Sequence, residues 1–188
     1  MRVQRVHRIC LFGVLAVMLL TTLAGPAAAI TEIDAPGCRW TISGGTVYIP
    51  YTWGGNLQTP GTPWRNAFEA AVADWNGLDT RIYFYYDNGL PNVTIDTYSR
   101  PDGAGGYASY ACCWSIPCYY NVYGNTYYDV GYTSNERRAA ASHEVGHSQA
   151  IGHIPEFEGV ALMGYNPDPD VYYTPQGTDE ELVNQVYP

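Results

Sequence analysis

The run His143-Glu144-Val145-Gly146-His147-Ser148-Gln149-Ala150-Ile151-Gly152-His153 gathers three imidazoles and a carboxylate. Histidines four residues apart project from one face of a helix, where both rings can reach a single ion. Such an ion lowers the pKa of its bound water towards neutrality, and a carboxylate beside it, Glu144, can take the proton. The chemistry implied is metal-assisted hydrolysis. On a continuing helix His153 would be rotated by about 240° from His147 at ~100° per residue and would point away from the ion. The helix must therefore end between them, and Gly152, which tolerates positive φ, offers a place to swing His153 back as the third ligand. The fourth histidine of the chain, His7, lies far upstream. Histidines kept only for packing would be scattered rather than collected in one motif.

Several elements must position this cluster. Thr46 to Tyr51 alternates with the period of a strand, and Pro50 within it points to an edge or an end. Thr62 can cap a helix whose first turn holds Pro63, whose apolar face is Trp64, Phe68, Ala71, Val72 and Trp75, and which Asn76-Gly77 closes. Arg81 to Tyr86 and Asn92 to Tyr98 read as strands separated by the Asp87-Asn88-Gly89 turn cluster. Residues 107–132 read as short strands and irregular chain. Ser134 opens the helix that carries the histidines, running into Ala150. A last helix begins at Thr178, where Thr178 and Glu181 stand at capping-box spacing. Strands interleaved with three helices make a single α/β or α+β domain.

The first 29 residues have the parts of a secretory signal peptide: Arg2, Arg5 and Arg8, an apolar run from Ile9 to Leu23 too short for a membrane span, and a small-residue site at Ala27-Ala28-Ala29. Residues 30–188 are then the mature, secreted domain, of a size for one core. All 18 acidic residues lie there with six of the nine basic ones, leaving twelve net negative charges and no lysine. So acidic a surface argues against nucleic-acid and membrane partners. The 18 tyrosines fit a structural role, with carbohydrate or peptide contact as the other reading. Cys38, Cys112, Cys113 and Cys118 form an even set in an oxidising compartment, which predicts two disulfides. A bridge between the neighbours 112 and 113 ranks last, so Cys38 is expected to tie to the 112–118 region. A zinc knuckle is the rival, but paired CxxC units are absent.

The run HEVGHSQAIGH resembles the extended zinc motif of the metzincin metallopeptidases, HExxHxxGxxH, at His143, Glu144, His147 and His153. Alanine stands at position 150 where that pattern has glycine. Positive φ at an alanine costs on the order of 1 kcal/mol or more, so the turn is expected to have shifted to Gly152. Gly159 to Tyr165 resembles the methionine turn of the family, with Met163 as a soft apolar floor beneath the imidazoles. Tyr165 matches the tyrosine that astacin-like and serralysin-like members carry near the zinc, where a phenol would stabilise the oxyanion.

The order of elements is similar to the matrixin branch. That resemblance implies a zincin-like catalytic domain: a twisted mixed sheet with three helices, an active-site helix and a methionine turn. Asp102 in the loop 101–106 resembles a calcium ligand ahead of a substrate-binding edge strand at Tyr107 to Tyr110, and an ordinary glycine-rich turn is the other reading. The function expected is a secreted, monomeric zinc endopeptidase acting on protein or peptide substrates. In it one zinc is held by three imidazoles, and Glu144 serves as base and then returns the proton to the leaving amine. The alternative is a secreted binding module with structural zinc, whose fourth ligand would be Asp168, Asp170 or Glu156 and whose tyrosines grip polysaccharide or protein.

Overall fold

The computed structural model describes residues 35–155 and 160–188. The signal-peptide reading of residues 1–29 lies outside the described residues, as does Glu156. The strands β1 (Val47–Trp53), β2 (Ile82–Tyr86), β3 (Val93–Tyr98), β4 (Gly106–Cys113) and β5 (Ile116–Asn125) form one sheet in the order β2-β1-β3-β5-β4. All neighbours are parallel except β4 and β5, which pair antiparallel, so β4 is an edge strand. The helices are α1 (Pro63–Asn76), α2 (Ser134–His147) and α3 (Gly177–Val186). The mixed α/β architecture with three helices is the one expected. No helix among the described residues is long and apolar enough to cross a membrane.

β1 is an interior strand, contrary to the edge or end that Pro50 suggested. The reason lies in how β2 passes to β3. Residues 87–92 step across β1 without reversing direction: Asp87 N–H donates to Tyr51 O at 2.8 Å, and Asn92 N–H donates to Pro50 O at 3.0 Å. Pairing between β1 and β3 starts only at Tyr51 with Val93, so the donor that proline lacks falls where the ladder has not begun. Asp87 and Gly89 form the expected turn, the carboxylate accepting from Gly89 N–H at 2.8 Å.

Residues 107–132 also differ from expectation, forming two full strands in a hairpin and then a 3-10 turn at Thr126–Gly131. Both disulfides bind this hairpin, as Cys38–Cys112 and Cys113–Cys118, with Cα separations of 5.8 and 5.3 Å. The first bridge brings the N-terminal segment onto β4.

Hydrophobic burial drives α1 and α2 onto the same side of the sheet, over Ile49, Phe84, Ile95 and Val122. Thr62 caps α1 by accepting from Arg65 N–H at 3.3 Å, and the predicted apolar face is buried. α2 opens at Ser134 as expected, and Thr133 caps it through a reciprocal box with Glu136. Two contacts fix its register on α1: Arg138 forks onto Asp74 at 2.8 and 2.5 Å, and Trp75 Nε1 donates to Ser142 O at 2.8 Å.

Candidate metal centre

The three imidazoles converge. One ring nitrogen from each of His143, His147 and His153 lies within 4.8 Å of the others, and Nε2 of His143 is 3.2 Å from Nε2 of His153. Among the described residues no carboxylate or thiol joins this set. The Nδ1 atom of His143 sits 2.6 Å from Leu162 O, and that of His147 sits 3.1 Å from Ile151 O. A carbonyl can only accept, so each Nδ1 carries the proton and each Nε2 presents its lone pair to the centre. Burial pushes the His143 imidazolium down to about 4, and lowers that of His147 well below the ordinary range with help from the neighbouring His143. All of this fits a borderline-soft divalent ion such as zinc, which takes neutral imidazoles and leaves a position open when only three protein groups bind it.

The turn that delivers His153 does not fall at Gly152. Ala150 itself adopts φ of 62°, the left-handed cap that glycine usually supplies. α2 first tightens into i to i+3 bonds, from Ser148 N–H to Val145 O at 3.0 Å and from Gln149 N–H to Gly146 O at 3.0 Å. The left-handed conformation costs an alanine on the order of 1–2 kcal/mol. Its methyl is fully buried, which returns roughly 0.8 kcal/mol. The carbonyls left over at this helix end are taken by distant side chains. Trp40 Nε1 donates to Ser148 O at 2.7 Å, the Tyr187 hydroxyl to Gln149 O at 2.6 Å, and Arg39 to Ala150 O.

Beneath the imidazoles, residues 161–164 make a tight turn, with Gly164 N–H donating to Ala161 O at 3.1 Å and Met163 fully buried. Gly146 is what lets α2 settle on that methionine. A Cβ there would run into Met163 Sδ and lie 2.9 Å from Trp75. Met163 thus packs against α2 at Gly146, the residue before His147.

A buried carboxylate that the sequence did not single out holds the floor in place. Asp179 accepts from the backbone N–H groups of Leu162 at 3.1 Å, Met163 at 2.8 Å and Gln176 at 2.7 Å. The start of α3 is accordingly organised by Gln176 and Asp179, and the box expected from Thr178 and Glu181 is not formed. Desolvation raises the Asp179 pKa, against the pull of its three donors. Replacing Asp179 with alanine strands three backbone donors at ~1–3 kcal/mol each, so a loss of at least ~3 kcal/mol is expected in urea unfolding. A loss below ~1 kcal/mol would mean that water replaces the carboxylate and that the strut is dispensable.

Glu144 is buried one residue along α2 from His143, and burial alone pushes its pKa up to about 8. Its side chain lies against β4 at Gly106, where a Cβ would come within 2.8 Å of Glu144 Cγ. Tyr165 stacks on the His153 ring, with centroids 4.4 Å apart and planes 22° from parallel. Asp102 lies apart from the centre. Its Oδ1 accepts from Asn125 Nδ2 at 3.0 Å and Ala104 N–H at 3.1 Å, bonds that hold the loop 101–106 together.

No protein-family model matches the chain, and no curated protein matches it in sequence. Solved structures do match. The chain is similar to high choriolytic enzyme 1, a hatching-enzyme zinc protease of the medaka fish Oryzias latipes, at 16% identity and a TM-score of 0.54, with 84% of this chain and 98% of that one covered. It is similar to myroilysin at 16% identity and a TM-score of 0.55, with 82% and 97% covered. The mixed five-stranded sheet with its helices is therefore the zincin-like metalloprotease fold, and in this chain that fold carries a triad of histidines able to hold a metal.

Proposed function

We propose that this protein is a secreted zinc-dependent endopeptidase, with residues 1–29 a signal peptide and 30–188 the catalytic domain, working as a monomer on protein or peptide substrates. The observation that carries the proposal is the convergence of His143, His147 and His153 beside a buried Glu144, with no carboxylate or thiol in the set among the described residues. When bound, zinc would act as a Lewis acid and acidify water at the open position. Glu144, buried beside the histidines, would hold the proton taken from the nucleophile and hand it to the leaving amine. Tyr165, stacked on His153, is the group proposed to stabilise the oxyanion. Met163 and Asp179 hold the imidazoles from below.

The matrixin-like reading rests on the open edge strand beside the cleft. Among the described residues β4 pairs only with β5, and its Tyr107 and Ala108 line a cavity shared with His143 and Glu144, where an extended substrate could add itself as a strand. Secretion is supported by the two disulfides and the leader-like start. A calcium ion at the 101–106 loop remains part of the proposal, bound by the Asp102 carboxylate, whose Oδ1 also accepts from Asn125 and Ala104.

The test is metal analysis of the purified protein with a casein-cleavage assay. Bound zinc, cleavage lost on chelation and cleavage restored by zinc are expected. Zinc bound without hydrolysis of any protein would favour the binding-module alternative, and undiminished cleavage after complete demetallation would end the metallopeptidase reading.

A further inference from the structure

Two cavities meet at the imidazoles. The first, of about 420 Å³, runs between α2 and residues 164–169, and the second, of about 350 Å³, runs towards Tyr107, Tyr110 and Ile151. Gly106, His143, Glu144 and His153 border both, so a peptide crossing the ring nitrogens places a side chain on each side of the bond to be cut. The cavities differ in charge. Among the described residues, the first contains Glu136 besides Glu144 and no lysine or arginine, whereas the second has no other charged side chain apart from its histidines.

Glu136, Ala139, Ala140 and His143 follow one another on a single face of α2. Seven residues of helix put Glu136 about 10 Å from His143 along the axis, a reach for a long side chain and not for a short one. The two alanines between them form a smooth apolar floor of the kind on which the methylene stem of a lysine or arginine lies. The carboxylate is held in position, since Oε2 of Glu136 accepts from Thr133 N–H at 2.5 Å. That bond, with the Thr133 hydroxyl, lowers its pKa and keeps it anionic. The neighbouring cations on α2 are engaged elsewhere, Arg137 by Asp129 and Arg138 by Asp74.

Resting on the peptidase reading, we propose that the cavity ending at Glu136 is a pocket for a basic side chain, so that the enzyme cuts beside lysine or arginine. Glu136 supplies the counter-charge at the pocket's far end. It would set specificity, and it takes no part in bond breaking. Because this carboxylate is reached by solvent, the preference is modest and sensitive to salt.

The experiment uses the zinc-loaded protein and a matched set of peptides carrying Arg, Lys, Leu or Glu at one position on either side of the cleaved bond. At one of these positions kcat/KM is expected to be at least ~5-fold higher for Arg and Lys than for Glu, with the gap narrowing as salt is raised. In Glu136→Gln, whose amide preserves the capping box, the ratio of Arg to Glu peptides should collapse towards one. Cleavage by the wild type with no basic preference on either side, or a preference that survives in Glu136→Gln, overturns the pocket and leaves the peptidase standing. Failure of the zinc-loaded wild type to cut any peptide overturns both.

Discussion

Glu144→Gln is expected to bind zinc as the wild type does and to hydrolyse casein at least ~10²-fold to 10⁴-fold more slowly, the range that removal of a general base produces. The amide has the size and burial of the carboxylate, so the β4 contact at Gly106 survives and the fold has no reason to change. What it loses is the capacity to take up and release a proton. The metal is expected to stay because the three imidazoles hold it without Glu144. Metal content and casein turnover measured on the same preparation decide the matter: full zinc with full activity would remove Glu144 from the mechanism. Loss of both together would instead make Glu144 a structural prop of α2.

The second large effect is expected at His153. His153→Ala should lower zinc affinity by more than the ~10–100-fold typical of losing a hydrogen bond behind a ligand, because a donor atom itself is removed. Activity should fall in parallel at limiting zinc. Competition with a chromogenic chelator measures the affinity directly, without reference to turnover. The outcome separates two meanings of the convergence around the 3.2 Å approach of His143 and His153. A variant that holds zinc as tightly as the wild type would show the third ring to be a neighbour of the ion and no ligand, and Tyr165 stacked upon it would lose its place in the mechanism as well.

Much of this arrangement is legible in the residues, and the exceptions have physical reasons. α1 can be read because its apolar residues share one face between a threonine cap and a glycine stop, signals that need no tertiary context. The pairing of His143 with His147 can be read because one helix sets their spacing, while His153 lies beyond its end. The β4–β5 hairpin cannot, since tyrosines point to both sides of it: Tyr120 is buried while Tyr119 and Tyr107 are exposed, so alternation of polarity is absent. Pro50 misleads because its missing donor matters only if a partner strand lies opposite, which depends on where β3 begins. Ala150 adopts a conformation its side chain disfavours, and only the burial of its methyl and the contacts from Arg39, Trp40 and Tyr187 make that tolerable. Asp179 looks like an ordinary first-turn acid until the chain folds its carboxylate under Met163. In each case the deciding partner is remote in sequence.

The grip of Arg39, Trp40 and Tyr187 on three successive carbonyls ties the bend before His153 to two segments remote in sequence. His143 and His147 are placed by α2 alone, whereas the third ring is placed by the whole tertiary structure. Any loosening of either outlying segment is therefore felt first at His153, and the cluster is only as well formed as its most distant tether.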